Sequence, residues 1–555
     1  MKKNKVLTTC LAFILSLSYS AYAQNWLWAK SIGYTYTEYG GKVATDQSGN
    51  VYLAGNFRSP TLVLDNFTLT NAGGNSGGSD VFLVKYAPDG TVLWATSFAG
   101  ISNDYVSGVA LDTIGNVYVT GYFNSYSLNI GNSTLQNVGG FDICLAKYNS
   151  FGVALWAKSA GGVDGDLSRG ICTDVSGNIY LTGEFKSPTI NFGTTVTLNN
   201  TVSNSFTSDM YIVKYDANGT IMWAKAGGGI SSEFGKSISC DASGNVYVSG
   251  NFQSANAIFD SVTLINSGSI DIFILKYSSN GAILWSTSSG GDGQDESSSI
   301  AIDLSGNLFL TGYFKSSTIS FGNITLDNTI NPGTNSRVYL VKFDPSGIVQ
   351  WATAAGGDSF DRGTDIATDF SGNIYLIGDF QSPTISFDTN TLYSNGDYEV
   401  FFVKYSPSGS VLWSSSIGGG STEIGRSIAT DLYGNIFITG DFSSANLNFN
   451  TISVALNPSI NGDSDIFLAK YGIEIITQLE EQLKQQKLTI YPNPANSIIN
   501  IGGANTQNLE IQNTLGEIVF YKQNCNSLET VDVSGIAKGM YFIRLNEQTL
   551  KMVKE

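Results

Sequence analysis

Seven acidic residues recur at one position along this chain: Glu38, Asp104, Asp166, Glu233, Asp295, Asp361 and Glu423. Each stands eight residues ahead of an aspartate, in order Asp46, Asp112, Asp174, Asp241, Asp303, Asp369 and Asp431. Carboxylates are hard oxygen ligands, so seven of them ringing one face would suit calcium capture or a polar collar for a sugar. The competing reading gives each acid loop N–H groups or an inter-repeat lysine as partner, and its presence in every repeat favours that architectural role. Tyr34, Tyr36 and Tyr39 flank Glu38, and Tyr105 flanks Asp104. Aromatic rings beside acids suit stacking and hydrogen bonding to a sugar, although tyrosine is also ordinary in β loops. A lysine column runs through Lys85, Lys147, Lys214, Lys276, Lys342, Lys404 and Lys470. Each ends an apolar run, so the stems are expected to pack while the ammonium groups reach a rim or a carboxylate.

Several chemistries are excluded. The chain has no histidine, which removes histidine triads, bases and metal ligands. It has no CxxC pair and no phosphate-cradling glycine loop ahead of a helix. Carboxylate-only catalysis, as in glycosidases, needs a pair of acids facing one cleft, and no such pair stands out. No catalytic residue and no cofactor beyond the possible calcium is nominated.

The elements that must position these residues are repeats. Turn glycines Gly49, Gly115, Gly177, Gly244, Gly306, Gly372 and Gly434 step by 66, 62, 67, 62, 66 and 62 residues. Trp28, Trp94, Trp156, Trp223, Trp285, Trp351 and Trp413 step by the same intervals. Each repeat reads as four strands, with a further short hairpin such as the one starting at Thr189. The aspartate before x-x-Gly-Asn is expected to close an Asx-turn while the glycine takes positive φ. One tryptophan per repeat reads as packing between repeats rather than as a sugar platform. Apolar residues run consecutively in several strands, as expected of sheets covered on both faces. All of the length variation falls between the second and third strands, in Asn-, Thr- and Ser-rich loops that alternate long and short; binding commonly resides on such loops.

The ends of the repeat region favour a ring. The first tryptophan strand, around Trp26 and Trp28, precedes any first strand, and the last repeat ends at Tyr471 without a tryptophan strand. Pairing the two would satisfy both edges. The expectation is an all-β, seven-bladed β-propeller over 24–473, closed by its N-terminal strand, with a β-solenoid as the alternative. The Asp-x-Ser-Gly-Asn-Val/Ile-Tyr turn, the Phe-Leu-Val-Lys-Tyr strand and the Trp-Ala strand resemble the bacterial SBBP β-propeller repeat family over about 25–472. That resemblance implies the fold and no particular activity.

The termini read as export signals. Lys2, Lys3 and Lys5 precede an apolar stretch, and Ala21-Tyr22-Ala23 offers a cleavage site, so 1–23 is expected to be a signal peptide. Its removal takes the formal charge from −17 to −20. Such acidity argues against nucleic-acid partners. No later apolar run is long enough to span a membrane. Cys144, Cys172 and Cys240 replace Phe, Ala and Thr of sister repeats and, with Cys525, are expected to be core substitutions rather than a disulfide framework. Residues 474–487 read as a short connecting helix.

The tail over 488–555 begins with Tyr491-Pro492-Asn493-Pro494 and carries Gly516, Gly539 and Tyr541 in order. It resembles the type A C-terminal sorting domain of the type IX (Por) secretion system. The resemblance implies a small β-sandwich, passage through both membranes with the secretion machinery as partner, and a place at the outer-membrane surface or outside the cell. The expected function is a non-enzymatic binding or scaffold protein with a glycan or protein ligand. The alternatives are a carboxylate-based glycan hydrolase or lyase, and a divalent-cation-stabilised structural surface protein.

Overall fold

The computed structural model describes residues 24–74, 78–203, 206–328, 333–457, 464–472, 489–502, 508–523, 525–526, 528–545 and 548–555. The expected signal peptide and connecting helix lie outside the described residues. The chain divides into two compact units, Met1–Ile473 and Glu474–Glu555.

In the first unit every repeat folds into four antiparallel strands. In the third repeat these are Asp166–Thr173, Ile179–Phe185, Asp209–Tyr215 and Ile221–Gly228, hydrogen-bonded in that order. The second and third of them are buried at every residue. Their side chains enter cores shared with both neighbouring sheets, which is why the sequence does not alternate. One core joins Tyr52 and Leu83 of the first repeat to Val119 and Tyr148 of the second. Another joins Leu53 and Phe82 of the first repeat to Phe437 and Leu468 of the seventh. Each buried Phe or Leu contributes about 1.5–3 kcal/mol, far above the 0–1 kcal/mol of an exposed ion pair, so these clusters carry the assembly of sheets.

The sheets follow one another in a cycle. The first strands, from Glu38–Thr45 to Glu423–Thr430, each lie beside the next, and the seventh lies beside the first. The N-terminal strand Asn25–Ile32 supplies the fourth strand of the last sheet, antiparallel to Asp465–Gly472, with Trp28 opposite Lys470. A small hairpin follows each second strand, such as Thr189–Phe192 with Val196–Asn199. It reaches sideways to the outer strand of the preceding repeat, pairing Ala160 with Phe192 and Gly161 with Asn191.

Two turn types lock the repeats locally. Asp46 accepts N–H bonds from Ser48 at 2.9 Å and Asn50 at 3.0 Å, and its second oxygen accepts from the Asn50 amide and the Tyr52 hydroxyl. The turn between third and fourth strands has a glycine with a double requirement. Gly90 has φ +87°, and a Cβ there would lie 3.2 Å from the Trp28 ring of the seventh sheet.

The second unit has two small sheets. One holds Thr489–Tyr491, Ile498–Gly502 and Leu528–Asp532; the other holds Leu509–Asn513, Ile518–Lys522, Gly539–Leu545 and Gln548–Lys554. Ile499, Ile501 and Val531 of the first meet Ile511, Ile543 and Met552 of the second in one core. The tail residues singled out in the sequence close this unit. Asn493 donates to Lys551 O at 2.7 Å and accepts from Val553 N at 2.9 Å, clipping the segment after Tyr491 and Pro492 to the last strand. The next residue after Pro494, Ala495, donates to Val553 O. Gly516 closes a turn whose Asn513 side chain accepts two N–H bonds, and the Tyr541 hydroxyl, two residues past Gly539, donates to Ala537 O at 2.8 Å. Among the described residues, no helix is long and apolar enough to cross a membrane.

Candidate functional site

The acid column is buried. Each of its seven carboxylates has its own partners within its repeat. Asp104 accepts from Gly100 N at 2.8 Å and the Ser125 hydroxyl at 2.9 Å. Asp361 accepts from Gly357 N and the Ser382 hydroxyl, both at 2.8 Å. Asp166 and Asp295 hold the hydroxyls of Ser187 and Ser316, and Glu233 accepts from Gly229 N and Ser254 N. Glu38 and Glu423 take the hydroxyls of Ser59 and Ser444. Each acid thus ties the start of its first strand to the serine two residues past the end of its second strand. Among the described residues, no group of three or more Asp, Glu, Cys or His gathers as a metal site.

A second acid series, missed from the sequence, backs the first. Asp80, Asp142, Asp209, Asp271, Glu399 and Asp465 head the third strands and are buried; Arg337 takes the remaining place. One oxygen of Asp80 accepts from Ala72 N at 2.6 Å, while the other has no hydrogen-bond partner; Asp142 and Asp271 are built likewise. Burial, followed by the charge of Asp104, pushes the Asp80 carboxyl up to about 7. Burial also lifts Glu38, Asp142 and Glu233 to about 7, and Asp166 and Asp271 to about 6. The signal was present in the sequence, as the polar residue opening the Phe-Leu-Val-Lys-Tyr run.

The lysine and tryptophan columns act between repeats. Lys214 Nζ and Trp223 Nε1 both donate to Ser279 O of the next repeat, at 2.8 and 3.2 Å. Lys276 and Trp285 share Pro345 O, and Lys342 and Trp351 share Pro407 O. Lys85 lies 3.1 Å from the turn carboxylate Asp46. These columns are structural.

The four tyrosines do not converge as one aromatic platform. Tyr34 and Tyr36 act through backbone N–H groups, on Glu38 and on the Ser59 hydroxyl, and their rings are exposed. Tyr39 is exposed at 37 %. Tyr105 packs with Tyr122 and Phe141, ring centroids 5.4 and 6.0 Å away.

The seven-fold pattern also breaks near the end of the second strands. The residue between the Gly and Phe that end the second strand is Asn56, Tyr122, Glu184, Asn251, Tyr313, Asp379 or Asp441. Facing it on the first strands are Lys42, Arg169, Lys236, Glu296, Arg362 and Arg426, and with Tyr122 and Tyr313 these line a cavity of about 410 Å³. Below it, Val43, Val109, Ile171, Ile238, Ile300, Ile366 and Ile428, one per repeat, line a narrower space of about 160 Å³. A polar cup therefore adjoins a smaller space, where one Val or Ile per repeat is interleaved with Ser237, Ser299, Asp365 and Ser427, at the place where the first strands meet.

The cup is held by ion pairs. Arg169 grips Glu184 through Nε at 3.1 Å and Nη2 at 2.6 Å. Arg426 grips Asp441 at 2.8 and 2.7 Å, and Arg362 Nε meets both oxygens of Asp379 at 3.1 Å. Lys236 lies 3.7 Å from Glu296, which also accepts from the Tyr313 hydroxyl at 2.8 Å and the Asn251 amide at 3.1 Å. Lys42 lies 3.6 Å from Asp365, whose oxygens also take the Ser299 and Ser427 hydroxyls. Burial lifts Asp379 to about 6 against the pull of Arg362 and Arg426.

One expectation is corrected. Cys172 and Cys240 form a disulfide, Cα atoms 6.2 Å apart, between the first strands of the third and fourth repeats. They stand two and one residues ahead of their turn aspartates, and the stagger of neighbouring first strands brings them together. Cys144 and Cys525 are buried free thiols.

A family model described as a secretion system C-terminal sorting domain matches 489–555, and one described as a beta-propeller repeat, SBBP, matches 412–448. The chain is 27% identical over 537 residues to an uncharacterized WD repeat-containing protein of Acanthamoeba polyphaga mimivirus, covering 80% of this chain and 38% of that protein. It is 26% identical over 219 residues to the regulatory protein FlaEY of Caulobacter vibrioides, covering 39% of this chain and 22% of that protein. The chain therefore spans well under half the length of these relatives. The WD40 domain of Neurospora crassa Pan2 aligns over 78% of this chain and 89% of its own, at 8% identity and a TM-score of 0.39. The chain thus carries a stretch that matches a β-propeller repeat and a secretion-system C-terminal sorting domain, and the latter implies a secreted or cell-surface location by the type IX route.

Proposed function

We propose that the repeats form one closed seven-bladed propeller that works outside the cell as a binding protein, with a glycan seated in the polar cup. The observation that carries this reading is the local loss of symmetry. Seven repeats share their turns, cores and buried acids, yet differ where Tyr122, Tyr313, Glu296 and three arginines face one cavity. A cavity of about 410 Å³ has room for a small ligand. Tyrosine rings, hydroxyls of Ser107 and Ser298, and charged donors suit a hydroxyl-rich molecule. Hydrolysis is less well supported. Glu296 is the one acid among the residues lining the cup, and glycosidase chemistry uses two.

The test is a glycan array probed with the chain from Gln24, alongside Ser298→Trp, which fills the cup. Selective binding that Ser298→Trp abolishes at unchanged melting temperature is the expected result. A blank array from folded protein defeats the glycan reading, and binding that survives Ser298→Trp moves the site elsewhere.

A further inference from the structure

We infer that the cup selects a carboxylate-bearing sugar, a uronate, with Arg169, Arg362 and Arg426 addressing the ligand's carboxylate. This rests on the glycan reading above and narrows it.

The chain is strongly acidic and has six arginines: Arg58, Arg169, Arg337, Arg362, Arg426 and Arg544. Three of the six line this one cavity, joined by Lys42 and Lys236. Each of the five cations is paired with a carboxylate, so in a chain of net charge −17 the cup is locally balanced, and five of its six charged lining residues are cations.

The ion pairs are also oriented. The side chains of Arg169, Arg362 and Arg426 are 36, 32 and 38 % exposed, whereas Glu184, Asp379 and Asp441 are 3, 0 and 7 % exposed. The carboxylates lie behind and the guanidinium groups face the cavity. A buried acid that holds a planar guanidinium in place prepares its remaining N–H groups for bidentate contact with a carboxylate. Arg362 engages Asp379 through Nε in both of its hydrogen bonds, which turns its terminal nitrogens away from that partner.

Folding does not require these pairs. The equivalent second-strand position holds Asn56 and Asn251 in the first and fourth repeats and Tyr122 and Tyr313 in the second and fifth. Those repeats build the same four-stranded sheet. The aromatic and hydroxyl side chains interleaved with the arginines favour a sugar acid over a simple anion, because they offer a ring face and partners for ring hydroxyls.

The experiment is calorimetric titration of the chain from Gln24 with galacturonate, glucuronate and mannuronate oligomers. The methyl ester of each uronate, a neutral gluco-oligosaccharide, an oligoglutamate peptide and inorganic phosphate serve as comparisons. At least one uronate is expected to bind, and its methyl ester about tenfold or more weaker, as loss of a charge-assisted contact implies. Arg362→Gln and Arg169→Gln are expected to weaken the uronate about tenfold and to weaken its methyl ester less, with melting curves confirming folded protein. If the ester or the neutral sugar binds as well as the acid, the glycan reading stands and the uronate inference falls. If no sugar binds, both fall. If oligoglutamate or phosphate binds as tightly as any uronate, selection for a sugar acid is overturned. The ester comparison needs no variant, so an unfolded arginine mutant leaves the test intact.

Discussion

Trp28 and Lys470, brought from the two ends of the repeat region, donate to the same carbonyl oxygen, that of Pro88, at 3.0 and 2.9 Å. They face each other across the pairing of Asn25–Ile32 with Asp465–Gly472, and Pro88 belongs to the first repeat. The same two-donor clamp joins the third repeat to the fourth at Ser279. The junction made by the chain's two ends is therefore built like one inside a continuous chain. Trp28→Phe keeps a ring over Gly90 and removes one donor; Lys470→Met keeps the stem and removes the other. Each is expected to cost about 1 kcal/mol. Because the acceptor is shared, either single variant leaves Pro88 O with one donor, and the double variant, which leaves it with neither, should cost more than the sum of the singles. Urea unfolding of the four proteins measures this, and strict additivity would mean that the two donors act independently.

The buried acid pairs predict an unusual pH response. Glu38, Asp80, Asp142 and Glu233 titrate at about 7 and Asp166 and Asp271 at about 6, in each case mainly because of burial. A carboxyl raised in the folded state binds its proton more tightly there than when unfolded. Its contribution is full below the ordinary carboxyl range and is lost as pH rises through the folded value. The melting temperature should fall between pH 5 and pH 8, the reverse of acid denaturation. Asp142→Asn keeps the shape without the charge and should flatten part of that slope. A melting temperature that rises over this window would contradict the assignment of burial as the dominant effect.

The strand order, the turns and the paired N-terminal strand were legible because they repeat: Gly49 and Trp28 have counterparts in every repeat, and two independent markers kept one register. The cup was not legible for the same reason. Arg169, Lys236 and Arg426 share a position with Gly41, Ser107, Ser298 and Thr364, so a search for recurrence passes over them. Their partners Glu184 and Asp441 sit inside a strand that otherwise reads as apolar. Only the cyclic arrangement of the sheets brings positions from all seven repeats to one cavity. The Cys172–Cys240 bridge was hidden by similar logic. Pairing depends on the stagger of adjacent first strands, which no spacing along the chain encodes.

That bridge spans a sequence separation of 68 residues and links two sheets already joined by packing. Cys172→Ser with Cys240→Ser should lower stability by about 2–4 kcal/mol if the bond acts by restricting the unfolded chain. Reductant should shift the melting curve of the parent protein by a similar amount and leave the double variant unmoved. An exported chain meets an oxidising environment, which is where such a bond forms and persists. Equal melting curves with and without reductant would show that the packed sheets make the bridge redundant.

Asn493 spans the sheet edge by donating to Lys551 O and accepting from Val553 N, and Ala495 N bonds to Val553 O beside it. Asn493→Ala removes both side-chain bonds without touching the core around Ile499 and Ile543. Losing two bonds, about 1 kcal/mol each, is a large change for a domain of this size. Export through the secretion system requires the sorting domain to be recognised, so the variant should accumulate inside the cell while its repeat region melts as in the parent. Fractionation of cells expressing both proteins reads this directly. Normal export of Asn493→Ala would place recognition elsewhere on the domain, with the exposed edge of Ile518–Lys522 as the next surface to alter.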